Sequence, residues 1–193
     1  MESIAWSSGQ WTNEPEGAVE AGTALEVTAR EGSDAWRVTS YGFVHDTEHA
    51  LLADFPDGSA MEVEFVADFS AQFDQAGIFI RVSSERWVKA GIEYSDGEAQ
   101  LGAVVTDGMS DWSLAPVPDW AGGPVTVRAS RSGDAVTVRA RRGDGPMRLV
   151  RVLPFPVGVA AQAGPLVCAP TRSGLTVRVT RWSRGDADGA LHD

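Results

Sequence analysis

An all-β sandwich in one domain is the architecture this sequence predicts. Three observations predict it: short runs alternating apolar and polar residues, tight-turn dipeptides between them, and almost no stretch of helical periodicity. The 193 residues are enough for one sizeable core, Gly 21 and Pro 10 supply the turns, and 43% hydrophobic with 22% charged residues is ordinary globular composition. A single domain over 1–183 is expected, followed by a disordered acidic tail from Arg184 to Asp193.

From the N-terminus, Trp6, Trp11 and Pro15 sit among turn formers, and Leu25 to Ala29 alternates as the first clear strand. Asp34 to Thr39 and Tyr41 to Asp46 are dense in aromatic and polar residues without either period. They read as a loop over one sheet and as a groove wall. His49 to Phe55 and Ala60 to Phe69 are strands, the second with Met61, Val63, Phe65, Ala67 and Phe69 on one side and Glu62, Glu64 and Asp68 on the other.

The chain is organised around Asp74 to Ser113. Ala76, Ile78, Ile80 and Val82 share one face, as do Val88, Ala90, Ile92 and Tyr94, and then Leu101, Ala103 and Val105. This predicts a three-stranded meander with Ile78, Ile80, Ile92, Leu101, Ala103 and Val105 between two sheets. Asp96-Gly97 is a type I′ hairpin signal and sets Glu93 opposite Gln100 and Gly91 opposite Gly102. Taking Ser84-Glu85-Arg86 as the other loop sets Phe79 opposite Gly91 and Gly77 opposite Glu93. The wet face then carries Gln75, Gly77, Phe79, Arg81, Trp87, Lys89, Gly91, Glu93, Gln100 and Gly102.

Glycine inside a strand marks a bulge or a close approach by another group. Gly77, Gly91 and Gly102 on one face therefore suggest the floor of a trough, edged by a flat aromatic and hydrogen-bonding side chains as a binding groove requires. The competing reading is that these glycines relieve sheet curvature. Lys89 is the one lysine beside 15 arginines, and it falls on this face.

After the meander, Val117 to Gly123 is a loop, Val125 to Ser130 and Ala135 to Arg141 form a hairpin, and Arg148 to Leu153 follows. Val157 to Ala163 reads as a central buried strand. Gly174 to Trp182 closes the sheet with Leu175, Val177 and Val179 alternating.

A net charge of -11 argues against non-specific binding to nucleic acid or anionic membranes. The start lacks the pattern of a secretory signal, and no apolar run reaches the ~20 residues of a membrane span. One cysteine, Cys168, allows no internal disulfide, so a reducing cytoplasmic setting and a buried inert thiol are expected. Dinucleotide and Walker loops, paired cysteine ligands, His-Glu-x-x-His and Gly-x-Ser-x-Gly are missing. His45, His49 and His192 are too few and wrongly spaced for a three-histidine site. No metal and no cofactor is expected.

Asp34-Ala35-Trp36-Arg37 with Tyr41-Gly42-Phe43, D-Q-A-G-I at Asp74 to Ile78, W-V-K-A-G-I-E at Trp87 to Glu93, V-V-T, and S-D-W-S at Ser110 to Ser113 resemble the Domain of Unknown Function 1349 family. The resemblance runs from Trp6 to Trp182, with Ala35 replacing the family's usual aromatic. It implies a concanavalin A-like lectin/glucanase jelly roll of two antiparallel sheets.

Two functions compete. A non-catalytic carbohydrate-binding domain would use Trp87, Trp112 and Trp36 as platforms and Gln75, Lys89, Glu93 and Asp111 to read hydroxyls, with Arg37, His45 and Gln100 at the groove. A glycoside-active enzyme would pair Glu93 with Asp74, Asp111 or Glu62. A protein-interaction scaffold ranks third. The Lys89–Glu93 spacing predicts a charged pair that lowers the Glu93 pKa and suits a hydroxyl acceptor rather than a general acid. Binding therefore leads, with a carbohydrate or other small polar molecule as the partner.

Overall fold

Residues 1–192 are described by the computed structural model, and they form two antiparallel sheets packed face to face. The strands are β1 (Glu2–Ser3), β2 (Gln10–Trp11), β3 (Gly17–Ala21), β4 (Ala24–Thr28), β5 (Ala35–Arg37), β6 (Val44–Asp46), β7 (His49–Asp54), β8 (Ser59–Ala67) and β9 (Gln75–Arg81). They continue with β10 (Arg86–Ser95), β11 (Glu98–Asp107), β12 (Met109–Pro116), β13 (Val125–Ser132), β14 (Ala135–Arg142), β15 (Arg148–Pro154), β16 (Gln162–Cys168) and β17 (Thr176–Asp186). Two single 3-10 turns, Trp6–Ser8 and Pro118–Trp120, are the helical segments among the described residues.

One sheet runs β15-β14-β13-β8-β17-β4-β3, with β1 sharing the free edge of β17; the other runs β12-β11-β10-β9-β16-β7-β2. The predicted parity holds. Ile78, Ile80, Ile92, Leu101 and Ala103 are buried between the sheets against Met61, Val63, Phe65, Val127 and Val138, with Val105 packed at the margin. At the closing strand a bulge shifts register between Val179 and Arg181, so Trp182 points inward although it breaks the alternation of Val177 and Val179. There it stacks on Trp6 with ring centroids 6.1 Å apart.

The Asp96-Gly97 hairpin pairs Glu93 with Gln100 and Gly91 with Gly102, as its turn chemistry dictates. The β9–β10 register differs by two residues from the expected one: Gly77 lies opposite Gly91, and Gln75 opposite Glu93. Val82 and Ser83 both donate to the Arg86 carbonyl, and Ser83 Oγ accepts from the backbone N–H of Glu85 and Arg86, which makes the loop longer. An even shift keeps every side chain on its face. It also draws Gly77, Gly91 and Gly102 into one row across three strands.

Two further expectations are corrected. Val157 to Ala161 is not strand: Gly158 turns the chain at φ +72°, Val157 is 70% exposed, and the Val159 and Ala161 carbonyls accept from buried Arg131 and from the Phe55 N–H. The β16 strand starts only at Gln162. The segment from Arg184, expected to be disordered, continues β17 to Asp186. Asp188 is then held by Arg128, Arg139 and the Ser130 hydroxyl. Asp193 lies outside the described residues.

A Cβ added at Gly77 would stand 2.0 Å from the Ala90 carbonyl oxygen, whereas one at Gly17 meets nothing within 4 Å. Gly77→Ala is therefore expected to lose about 3 kcal/mol in urea unfolding, and Gly17→Ala to stay within about 0.5 kcal/mol.

Candidate functional site

The outer face of the seven-stranded sheet carries the site, and half of that face is a second core. Ala50, Leu52, Phe79, Trp87, Val104, Leu166 and Cys168 cluster there under Ala35 and Trp36 of the β5–β6 hairpin. Trp87 is 3% exposed and tilts against Phe79 with centroids 5.4 Å apart. It was expected as an exposed platform but is buried, because the hairpin roofs that end of the sheet.

Two anchors hold the hairpin down. At its root, Asp34 Oδ1 accepts from Lys89 Nζ at 2.8 Å, from Gln75 Nε2 at 3.2 Å and from the Ala35 N–H at 2.8 Å. Lys89 Nζ also donates to Gln75 Oε1 at 2.9 Å. Beyond Trp36, Arg37 bridges Asp46 at 3.5 Å and Glu85 at 2.9 Å, and its N–H donates to Ser110 Oγ. Burial disfavours the Lys89 ammonium, but the carboxylates of Asp34 and Glu93 outweigh that and leave its pKa raised.

Beside this anchor opens a cavity of about 310 Å³, at the small end of the range for ligand sites. Its polar lining is Asp34, Gln75, Lys89, Glu93 and His45, and its aromatic lining is Trp36, Tyr41, Phe43, Phe73 and Trp112. Trp36 meets Trp112 edge to face at 6.0 Å and Tyr41 at 5.7 Å, Tyr41 stacks on Phe43 at 5.2 Å, and Phe43 meets His45 at 4.7 Å. Tyr41, Phe43 and Trp112 are exposed. Backbone strain gathers here as well: Val38, Ser40 and Phe73 have φ of 65°, 62° and 68°, in the left-handed region that non-glycine residues avoid.

Glu93 is 8% exposed, and its Oε1 is buried with no hydrogen-bond partner among the described residues. The expected Lys89–Glu93 bond does not form, since Lys89 Nζ turns to Asp34 and Gln75. The expected depression of the Glu93 pKa is likewise corrected. Burial pushes it up, Lys89 offsets part of the rise, Asp34 adds to it, and the carboxyl ends at about 7.

The remaining predicted residues scatter. Gly77, Gly91 and Gly102 do not line the cavity. Gly91 and Gly102 floor an adjoining crevice of about 20 Å³ that Leu114 also lines, and a Cβ at any of the three would strike a neighbouring strand's backbone. Gln100 reaches only the Ser95 carbonyl. Asp111 points away from Trp112, opposite Val105, and pairs with Arg151 at 2.9 Å. Asp74 is fully buried, accepting from Arg172 and from the N–H groups of Ser70 and Ala71. Glu62 lies on the other sheet, bound to Arg128. Gly32, Asp34, Tyr41, Phe43, Phe73 and Pro170 are the lining residues that the predicted site lacked.

Residues 11–186 match the family described as a protein of unknown function, DUF1349. The chain belongs to the DUF1349 family. It is 35% identical over 191 residues to "Regulation of enolase protein 1" of Saccharomyces cerevisiae, covering 97% of this chain and 94% of the yeast protein. The crystal structure of a functionally unknown protein from Saccharomyces cerevisiae superposes with a TM-score of 0.90 at 32% identity, over 96% of this chain and all of that one. The GH43 protein BlXynB of Bacillus licheniformis superposes with a TM-score of 0.74 at 12% identity, over 97% of this chain but 38% of its own length. That likeness is one of fold, in which the DUF1349 chain matches a part of a larger protein.

Two predictions test the electrostatics. Asp34→Ala strands a buried ammonium and is expected to cost about 3 kcal/mol, while Lys89→Met, which removes the charge, costs clearly less in the same urea titration. For Glu93, the folded pKa of about 7 exceeds the ordinary value of 4.5, so between those pH values the folded state alone keeps the proton and rising pH favours unfolding. Glu93→Gln removes that penalty. Melting curves should show the variant matching the parent near pH 4.5 and exceeding it at pH 8, by up to about 3 kcal/mol.

Proposed function

We propose that this DUF1349 chain is a non-catalytic carbohydrate-binding domain whose site is the cavity under the β5–β6 hairpin. The observation that carries the reading is Glu93, whose buried Oε1 has no partner among the described residues, in the lining of a space walled by Trp36, Tyr41 and Trp112. A buried polar atom left unsatisfied in the free protein is costly unless a ligand completes it. Exposed aromatic faces offer the flat apolar platform on which the C–H face of a sugar ring stacks.

A glycoside-active enzyme is the second reading, and the elevated pKa of Glu93 favours it because a general acid must hold its proton near neutrality. Solved structures of similar fold include a GH43 glycoside hydrolase. Glycoside hydrolysis, however, needs a second free carboxylate. Asp34 Oδ1 is already taken by three donors, Asp74 is locked to Arg172, and Glu62 lies on the other sheet. Binding therefore leads.

Glycan-array binding of the parent chain and of Trp112→Ala tests this. Trp112 is 37% exposed, so its loss should leave the melting temperature nearly unchanged while weakening ligand binding about tenfold. Aryl-glycoside turnover by the parent that disappears in Glu93→Gln would promote the enzyme reading instead.

A further inference from the structure

The polar groups of the cavity are unevenly committed. Asp34, Gln75 and Lys89 satisfy one another, whereas Glu93 Oε1 is left without a partner. The hydroxyls of a neutral sugar offer such a carboxylate only uncharged donors, whereas a charged donor makes a hydrogen bond roughly twice as strong. A ligand with one strongly donating group set in an apolar or ring-shaped body fits this supply better. The walls point the same way, because Trp36, Tyr41, Phe43 and Trp112 form a connected aromatic array, and such faces attract cations through their negative quadrupole.

We infer that the cavity selects a ligand bearing a positively charged nitrogen, and specifically an amino sugar with its amine free, whose ammonium lies among these aromatic faces and donates to the Glu93 carboxylate. The inference rests on the carbohydrate reading for the ring and adds the charge.

The charges around Glu93 are consistent with it. Lys89, on the same strand, is neutralised by Asp34 at the hairpin root, and Gln75 opposite Glu93 is uncharged. His45 and Tyr41 face the cavity from the hairpin. The Cys168 thiol beside Lys89 is held neutral by burial. With Asp34 and Lys89 cancelling, the uncompensated group that an entering anion meets is Glu93, while a cation is drawn by the -11 charge of the whole chain. Because burial holds the Glu93 pKa up, a bound cation favours its ionised form, and protons should pass to the buffer as the ligand binds.

Isothermal titration of the full chain at pH 7, in phosphate and in Tris, with glucosamine, glucose, N-acetylglucosamine, glucuronate and tetramethylammonium tests the inference. Glucosamine should bind at least about tenfold more tightly than the neutral sugars and glucuronate, with an apparent enthalpy that differs between buffers. Glu93→Gln, checked for folding by its melting curve, should abolish both the preference and the buffer dependence. Trp112→Leu should lower affinity but keep the proton release. Equal binding of glucose and glucosamine, or a preference for glucuronate, overturns the charge selection and leaves the carbohydrate reading standing. Glu93-dependent binding of tetramethylammonium with no sugar bound overturns the carbohydrate reading and retains the cation site. Binding of none of the five overturns both.

Discussion

The buried ion pair between Lys89 and Asp34 is the interaction on which the site depends. Lys89 is 5% exposed, and an ammonium so placed requires an anion within direct reach. Asp34 supplies it from the segment that leads into the β5–β6 hairpin, and the hairpin is thereby clamped over the outer face of the sheet. The roof then removes solvent from Trp87 and Phe79 on one side and walls the cavity on the other. Glu93 sits within that wall, and its perturbed protonation follows from the same clamp. A sheet face that would otherwise be bare is turned into one small core and one small cavity.

The hairpin is itself an unfavourable piece of chain. Val38 and Ser40 hold left-handed backbone that a β-branched or hydroxyl side chain does not choose, and Phe73 across the cavity does the same. Local hydrogen bonds fix this shape: Val38 N–H to the Phe43 carbonyl at 2.8 Å, Gly42 N–H to the Val38 carbonyl at 2.6 Å, and Trp36 Nε1 to the Thr39 carbonyl at 3.0 Å. Strain concentrated beside a cavity is the pattern of a preorganised binding site. The likeness to GH43 proteins at 12% identity concerns the sandwich beneath and carries none of this.

Period-two alternation made the inner and outer faces of the meander legible from sequence, because parity survives errors of register. The Asp96-Gly97 turn made one register legible, since its backbone admits few alternatives. The β9–β10 register was not, because Ser83 and the Arg86 carbonyl organise a longer loop through contacts that no dipeptide signals. Face parity also could not show how Trp87 and Lys89, which point the same way, are both buried: Trp87 in the second core and Lys89 against Asp34 at the hairpin root. Asp34 was missed as a site residue because it comes from an aperiodic loop 55 residues from Lys89. A signal did exist. A lone lysine on an apolar strand needs a carboxylate, and an aromatic-rich loop opening on aspartate was available to provide it.

That lone lysine has a practical consequence. Every other cationic side chain is arginine or histidine, so Lys89 carries the one side-chain amine of the sequence. In the folded protein that amine is enclosed and hydrogen-bonded. Acylation of Lys89 then requires the hairpin to lift or the sheet to open, so its rate would report that local opening, one residue at a time, without any label having been introduced.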